Sequence, residues 1–341
     1  MRVAVVGGGV FGATTAIDLA QVGVQVDLFE AQHDLLTGAT ARCQARLHSG
    51  YHYPRSDATA TAARDAAPEF KARYPEAIRT ADQHYVIAED SKVSADEYLA
   101  FCNRLGLPYE VVEPPQVHHA QVCVRVPEAF IDVDMLRRLL RRDLRRAGVD
   151  VRLGKKVEAP LPGYDLTVMA TYGQPWPKPL RYELCEVALV EVGGRYEGQS
   201  FVVMDGNHVS LDPYGRVHML YGVVESVHDA TEGPVPEIAD RYQGLLRRHG
   251  PVVNGLTNVE AMLKTAGQHL RGLHPHGQGL SIYHGSMYSV RAVLPGVDGT
   301  DERPTLVERN SDVISILSGK ICTAVSAARS VTEMAMGVVP L

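Results

Sequence analysis

Two short apolar runs flank a helical stretch in the first thirty residues. Apolar residues fill positions 3–6, residues 10–21 carry apolar side chains at helical spacing, and a second, mainly apolar run covers positions 24–29. Apolar runs of this length next to glycine are typical of strands buried in a parallel sheet. The pattern therefore predicts a strand, a helix and a second parallel strand.

The patterns that follow change character along the chain. The sequence predicts helices at 57–74, 95–105, 134–147, 236–249 and 259–270. It predicts strands at 83–88, 121–126, 149–153, around 157, and at 165–173, 182–192, 200–205, 209–212, 217–223 and 313–317. A last helix is expected from about 319 to 336. Between 181 and 288 the strands alternate in the manner of an antiparallel sheet, whereas both ends of the chain resemble a parallel α/β domain.

The glycines between the first strand and helix have the spacing of a dinucleotide-binding turn. Gly7 allows the tight turn, Gly9 leaves the backbone open to a pyrophosphate, and Gly12 allows the helix to approach the sheet. The pyrophosphate is expected at the helix N-terminus, where N–H groups and the helix dipole favour negative charge. Glu30 follows the second strand, where a carboxylate accepts hydrogen bonds from an adenosine ribose. The motif therefore predicts an adenine dinucleotide without a 2′-phosphate.

The length and the patterns predict two domains, one interrupted by the other. We expect a nucleotide-binding domain from residues 1–80, 127–180 and 289–341, and a substrate-binding domain from residues 81–126 and 181–288. A chain of 341 residues is long for a single core. The proline-rich stretch 174–179 is the expected linker.

Composition and charge exclude several classes of function. The net charge of −6 gives no basis for nucleic-acid binding, and the arginines between 137 and 146 have the spacing of a solvated helix face. No apolar run approaches the roughly 20 residues needed to cross a bilayer, and the chain opens on a strand instead of a signal peptide. We therefore expect a cytoplasmic protein. The five cysteines lack disulfide or zinc spacing, so no metal site is expected.

These motifs together resemble the D-amino acid oxidase (DAO) superfamily, which includes sarcosine and glycine oxidases and glycerol-3-phosphate dehydrogenases. The resemblance covers nearly the whole chain and implies an α/β fold, with a Rossmann-like FAD-binding domain of the glutathione-reductase type and an inserted mixed or antiparallel-sheet substrate domain. It implies that FAD is held by Gly7, Gly9, Val10, Phe11, Gly12, Glu30, Ala31, Arg46, Leu47, His48, Val157, Ala170, Thr171, Gly173, Ser318, Gly319, Lys320 and Ile321.

The resemblance also implies roles in catalysis and substrate binding. Lys320 and the helix that follows Gly319 are expected to stabilise negative charge on the reduced flavin. Arg291 matches an arginine that grips a substrate carboxylate, with a structural ion pair as the alternative. His48 and His52 are candidate bases, with structural hydrogen bonding or covalent attachment of the flavin as alternatives. Further candidate substrate contacts are Tyr53, Arg125, Tyr214, Tyr221 and Tyr288.

The expected function is oxidation of a carbon–nitrogen bond in a small amine or amino-acid-like substrate, expected to be acidic, by hydride transfer to FAD. A second GxGxxG motif is missing, so electrons are expected from the substrate and are passed to O₂ or a carrier. The alternatives are oxidation of an alcohol or 2-hydroxy acid, a non-redox flavin-dependent mutase, and a subunit of a larger dehydrogenase. A role in specialised biosynthesis and a monomer or homo-oligomer are also expected.

Overall fold

A computed structural model describes residues 1–158, 161–172, 176–246, 251–253, 256–275, 281–297, 299–300 and 302–337. In these residues the helices are α1 (Val10–Gln21), α2 (Asp57–Arg73), α3 (Ala95–Arg104), α4 (Val133–Arg146), α5 (Asp240–Leu246), α6 (Val259–Ala266) and α7 (Ala324–Met336). The strands are β1 (Arg2–Val6), β2 (Gln25–Phe29), β3 (Arg46–Leu47), β4 (Ile78–Thr80), β5 (Asp82–Ala88), β6 (Glu110–Val112), β7 (Ala120–Val126), β8 (Ala129–Ile131), β9 (Asp150–Arg152), β10 (Leu166–Met169), β11 (Leu180–Glu191), β12 (Gln199–Met204), β13 (Val209–Tyr214), β14 (Val217–Gly222), β15 (Val227–Gly233), β16 (Ile282–Val293), β17 (Leu306–Asn310) and β18 (Val313–Leu317).

The first sheet is the parallel sheet that the sequence predicts. In the described part of the chain it has six strands in the order β17-β18-β10-β1-β2-β9, and β17 alone is antiparallel to its neighbour. Side chains of α1, α2, α4 and α7 pack with its strands in one hydrophobic core. All six strands lie in the ranges predicted for the nucleotide-binding domain.

The second sheet is mixed and mainly antiparallel. Within the described residues it has nine strands: β15, β11, β14, β13, β12, β5, β7 and β6 follow one another, and β16 pairs with β11. The pairing of β5 with β12 is parallel, whereas the other pairs are antiparallel. A small antiparallel sheet of β3, β8 and β4 completes the described sheets. The fold is therefore an α/β domain of Rossmann type joined to a sheet-rich part.

Several elements differ from the predictions. Residue 157, which the sequence predicts to be in a strand, lies in a loop after strand β9, which ends at Arg152. Helix α6 ends at Ala266 instead of residue 270. At the next position, a Cβ on Gly267 would lie 2.3 Å from the Leu273 carbonyl oxygen. A 3₁₀ turn at 321–323 precedes α7, because the backbone of Lys320 is extended. The predicted end of the helix at 247–249 and the first two residues of the linker, 174 and 175, lie outside the described residues.

Strand β16 is the largest element that the sequence patterns did not identify. Its register against β11 shifts between Leu189 and Val190, and Gly285 has a φ of +127°, so a regular alternation is absent. The strand continues past residue 288 to Val293. The sequence pattern predicts that the last segment of the nucleotide-binding domain begins at residue 289. We now propose that this segment begins after Val293. Among the described residues, no helix combines the length and the hydropathy needed to cross a bilayer.

Candidate active site

A large cavity lies between the parallel sheet and the nine-stranded sheet. Its volume is about 1030 Å³, which is at the upper end of the roughly 300–1,000 Å³ typical of small-molecule sites. Val6, Phe29 and Met169 line it from the carboxyl ends of β1, β2 and β10. In open parallel sheets, ligands bind at this edge. At the other end the wall includes residues of β11, β14 and β16.

The turn after β1 has the geometry of an anion site. Gly7 has a φ of +107°, and a Cβ there would lie 2.5 Å from the Ala170 carbonyl oxygen, so only glycine fits. A Cβ on Gly9 would meet only Thr40 Oγ1, at 3.9 Å, which leaves the backbone open. Gly9 precedes α1 and no side chain caps this helix, whose first residues line the cavity. A pyrophosphate therefore fits here, since it satisfies N–H groups at a helix N-terminus.

Glu30 lies where the sequence predicts a ribose contact. Its carboxylate accepts hydrogen bonds from the backbone N–H groups of Gly8 at 2.6 Å and Gln32 at 2.7 Å. A carboxylate has about four acceptor positions, so two such bonds leave capacity for a ribose hydroxyl. Ala31 and Val157 line the same end of the cavity. These residues fit the adenosine half of FAD.

Most of the predicted site residues meet in this cavity. Its wall includes Gly7, Gly9, Val10, Phe11, Glu30, Ala31, Arg46, His48, His52, Val157, Ala170, Thr171, Tyr221, Arg291, Ser318, Gly319, Lys320 and Ile321. Gly12 and Leu47 lie behind the wall in the protein core. Gly173 lies outside the described residues.

Sequence reasoning missed a second group of lining residues. Positions 37–40 and 42–45 form a stretch of the wall, and Tyr172, Trp176, Tyr182 and Cys185 add aromatic and thiol groups. The 37–45 segment carried a signal, because it is a long loop directly before the histidines. The aromatic residues carried none, since any one of them has the pattern of a core residue.

Four predicted substrate contacts lie outside the wall. Tyr53 is buried next to it, and its ring contacts His48, His52 and the Lys320 ammonium. Tyr288 packs instead with a separate cluster that contains Ile238 and Tyr242, and its hydroxyl donates to the Leu256 carbonyl oxygen.

Tyr214 and Arg125 are farther from the proposed chemistry. Tyr214 is exposed at the end of β13, and the exposed guanidinium of Arg125 forms an ion pair with Glu110 across two neighbouring strands. Strand pairing, which the local pattern does not reveal, thus removes both from the candidate substrate site.

A buried ion pair supports the wall beside the histidines. Asp212 is fully buried, and both of its carboxylate oxygens lie 2.7 Å from Nη2 of Arg46. Gln44 and Ser200 also donate to this carboxylate, at 3.0 and 2.6 Å. Burial lowers the pKa of Arg46, but the charge and hydrogen bonds of Asp212, together with the nearby Tyr85 and Glu128, outweigh this effect and hold that pKa above its ordinary value. The cavity therefore contains a fixed guanidinium cation.

A cluster of two histidines and a lysine lies next to this pair. The ring centroids of His48 and His52 are 5.3 Å apart, and the Lys320 ammonium lies 4.7 Å from the centroid of the Tyr53 ring. Burial lowers the pKa of both histidines well below the ordinary value, and the charges of Lys320 and Arg46 lower it further. Both imidazoles are therefore neutral at physiological pH.

We expect these neutral histidines to make the protein sensitive to acid. In the unfolded chain each one binds a proton as the pH falls through about 6.5, whereas in the folded chain its lowered pKa keeps it neutral. The unfolded state then binds more protons, so stability falls with pH. Lowering the pH from 7.5 to 5.5 should reduce the free energy of unfolding. This reduction should be about 1.4 kcal/mol smaller for the His52→Gln variant than for the wild type.

Urea unfolding of the FAD-loaded protein at the two pH values measures this difference. His284→Gln is the matched control, because His284 is a histidine of β16 outside the cavity. Equal acid sensitivity of the wild type and His52→Gln would show that His52 is protonated alike in the folded and unfolded states.

Arg291 is anchored before any substrate binds. Its Nε lies 2.9 Å from an oxygen of Glu183, Nη2 donates to the same oxygen, and Nη1 donates to the Tyr221 hydroxyl at 3.2 Å. Glu183 is almost fully buried on the paired strand β11. The predicted alternative of a structural ion pair is therefore present. Of the five N–H groups of this guanidinium, these contacts among the described residues use three.

Comparison with known proteins identifies the family of the chain. The family model of DAO, described as FAD-dependent oxidoreductase, matches residues 2–172. The FAD-dependent monooxygenase FPY4 of Fusarium mangiferae is 26% identical over 333 residues, which cover 94% of this chain and 87% of that protein.

Solved structures show the same fold. Glycine oxidase from Geobacillus kaustophilus superposes with a TM-score of 0.70 at 14% identity, over 99% of this chain and 96% of that chain. L-α-glycerophosphate oxidase from Mycoplasma pneumoniae, with FAD bound, superposes with a TM-score of 0.71 at 13% identity, over 98% of this chain and 94% of that chain. Identities this low establish the fold alone.

Proposed function

This chain belongs to the DAO family of FAD-dependent oxidoreductases, and from this premise we propose that it oxidises a carbon–nitrogen bond of a small amine or amino-acid-like substrate. FAD, when bound, supplies an acceptor for a hydride, that is, for two electrons and a proton. The observation that carries the proposal is the continuous cavity from Glu30 to Tyr221 and Arg291. It offers one end for the nucleotide and another, polar end for a small substrate.

The chain's own groups would hold the cofactor by charge and by shape. Gly9 and the N-terminus of α1 would bind the pyrophosphate, and Glu30 would accept a ribose hydroxyl. Lys320 would hold positive charge beside the flavin, next to a 3₁₀ turn and helix α7 that no side chain caps. Fixed positive charge of this kind stabilises a developing anion without reorganisation.

The protonation state of the histidines favours an amine over an alcohol. A base accepts a proton best when its pKa lies near the working pH. Burial and the neighbouring cations hold the pKa of His48 and His52 well below that range, so both are poor bases for an alcohol proton. An amine that reacts in its neutral form needs no such base. The two imidazoles would instead accept or donate hydrogen bonds in the wall.

Arg291 would position the substrate. Glu183 and Tyr221 fix the plane of its guanidinium, and two N–H groups beyond the contacts described above are available to a carboxylate. Because Glu183 offsets its charge, we expect Arg291 to orient an acidic group more than to attract it from a distance. The substrate would therefore be an amino acid or an N-substituted amino acid.

Monooxygenation is a second candidate, favoured by the similarity to FPY4 over most of the chain. An external monooxygenase takes electrons from a nicotinamide, whereas the proposed oxidase takes them from its substrate. Oxidation of a 2-hydroxy acid and a non-redox mutase reaction stay as further alternatives. In the proposal the electrons pass to O₂ or a carrier. Oligomeric state and cytoplasmic location stay predictions from the sequence.

Anaerobic spectra of the FAD-loaded protein test these alternatives. We expect the oxidised flavin to bleach on addition of pooled amino acids or N-methyl amino acids, without NADH or NADPH. Bleaching by 2-hydroxy acids alone would replace the amine with an alcohol. Bleaching that requires NADH or NADPH would favour monooxygenation. A flavin that no pool and neither nicotinamide reduces would overturn the proposed oxidation.

The Arg291→Lys variant tests substrate positioning with the identified substrate. Lysine keeps a positive charge beside Glu183 but lacks the planar fork. We expect KM to rise about tenfold or more, because one charge-assisted hydrogen bond to the carboxylate is worth roughly 1.5–3 kcal/mol. The corresponding amine without a carboxylate is the control and should be oxidised equally well by both proteins. An unchanged KM for the acidic substrate would remove Arg291 from the binding site.

A further inference from the structure

Three potential metal ligands from distant segments meet outside the FAD cavity. Asp90 lies in the turn after β5, His208 directly before β13, and His269 shortly after α6. In the described part of the chain they form one group, whose potential ligand atoms all lie within 4.8 Å of one another. None of the three lines the cavity. We propose that they bind a single divalent transition-metal ion, with zinc as the expected occupant.

The spacing of the three groups matches a coordination site better than a hydrogen bond. Nε2 of His208 lies 3.5 Å from Oδ1 of Asp90, and Nε2 of His269 lies 3.9 Å from the same oxygen. Both separations exceed an ordinary hydrogen-bond length. Ligands about 2.0–2.1 Å from a tetrahedral zinc ion are roughly 3.3 Å apart. The two histidine–aspartate separations exceed this spacing by about 0.2 and 0.6 Å, and all three ligand atoms lie within 4.8 Å of one another. Side-chain movement on this scale would supply three of the four positions, leaving the fourth for water.

Burial makes the first histidine a stronger candidate than an ordinary surface residue. His208 is only 3% exposed, and its Nε2 has no hydrogen-bond partner among the described residues. Native proteins rarely leave a buried polar nitrogen unpaired, and a bound ion is one of the usual reasons for such a nitrogen. The unpaired nitrogen is the one that lies nearest Asp90. A metal ion would satisfy it.

The second histidine is held in the tautomer that a metal requires. Nδ1 of His269 lies 3.2 Å from the carbonyl oxygen of His119. A carbonyl oxygen only accepts, so Nδ1 carries the hydrogen and Nε2 has its lone pair available. Metal-binding histidines commonly make this contact with a backbone carbonyl. The backbone hydrogen bond from His118 to His269, at 3.0 Å, holds the two segments together.

The ligand chemistry selects the class of ion. Two imidazoles and one carboxylate suit zinc and its neighbours in the first transition series, whereas magnesium and calcium prefer oxygen ligands alone. The ion would join the turn after β5, the loop before β13 and the end of α6. It would act as a cross-link in the sheet-rich part of the fold. This proposal revises the expectation of no metal, which rested on cysteine spacing.

Zinc binding to the untagged, FAD-loaded protein tests the site. The protein is freed of metal with a chelator and dialysed against a buffer with Zn²⁺ as the only transition metal. We expect one zinc per chain by elemental analysis, and a thermal unfolding midpoint that rises with zinc. Asp90→Asn and His269→Gln should each weaken binding by about 100-fold and abolish the thermal shift. His284→Gln, at an exposed histidine, should bind zinc as the wild type does.

Asp90→Asn keeps the test decisive even if substitution of a buried histidine prevents folding, because Asp90 is exposed. The FAD spectrum of the Asp90→Asn variant reports whether that protein is folded. Less than half a zinc ion per chain in excess Zn²⁺ would overturn the site. Wild-type zinc affinity in both Asp90→Asn and His269→Gln, or displacement of zinc by equimolar Mg²⁺, would do so as well.

Discussion

The Gly12→Ala variant should lose about 3 kcal/mol of stability and most of its FAD. A Cβ at this position would lie 1.9 Å from the Gly7 carbonyl oxygen and 3.1 Å from the Ala170 Cβ. The nearest obstacle is backbone, which cannot rotate away, so α1 must move off β1. Overpacking of this kind costs about 1–3 kcal/mol and occasionally more. The displaced helix would also carry its N-terminus away from the pyrophosphate.

A glycine-to-alanine substitution on helix α5 should instead stabilise the protein. Gly244 lies exposed on α5, and a Cβ there would meet nothing within 4 Å. Because alanine is the better helix former, Gly244→Ala should gain up to about 1 kcal/mol. Urea unfolding and the ratio of flavin to protein absorbance measure both variants. If Gly12→Ala unfolds like the wild type with full FAD, α1 is not packed on the turn as described.

Removal of the Asp212 carboxylate should destabilise the protein by about 3–5 kcal/mol. The Asp212→Ala variant leaves Arg46 almost fully buried without its main counter-charge. It also removes the acceptor for Gln44 and Ser200. A buried charge that loses its partner retains its desolvation cost, so the loss exceeds the value of one hydrogen bond. The nearby buried carboxylate of Glu128 offsets part of this cost through its attraction to Arg46.

An exposed ion pair provides the comparison. Glu110 pairs with Arg125 at the surface, where such pairs are worth about 0.2–1 kcal/mol, so Glu110→Ala should lose no more than that. Asp212→Asn retains the shape and part of the hydrogen bonding and should fall between the two. Chemical denaturation of the FAD-loaded proteins gives the three values. A loss for Asp212→Ala that is no larger than for Glu110→Ala would mean that Arg46 does not depend on Asp212.

Local patterns predicted the elements that depend on short-range order. Strand β18 has the predicted bounds, and α2 begins where expected and ends one residue earlier. Serine is a residue type that commonly caps helices, and Ser56 directly precedes α2. Its side chain accepts a hydrogen bond from the Thr59 N–H. Strand β16 was missed because its irregular register and Gly285 interrupt the alternation on which prediction relies.

The candidate site divides along the same line. The glycine turn and Glu30 are contiguous in sequence, so their spacing alone predicted the nucleotide end of the cavity. The assignments of Arg125 and Tyr214 to the substrate came from residue type, and strand pairing placed both elsewhere. The family resemblance predicted Arg291, but only the fold shows that Glu183 neutralises it from the neighbouring strand.

The sequence by itself determined the α/β class, the glycine turn after β1 and the family, because each depends on residues a few positions apart whose backbone geometry their own types dictate. Tertiary structure alone decided which distant charges meet. Arg46 and Asp212 are 166 residues apart, and Asp90, His208 and His269 come from three separate segments. Such contacts depend on strand order and register, which local periodicity does not encode. The pKa values of the buried histidines depend on the same packing.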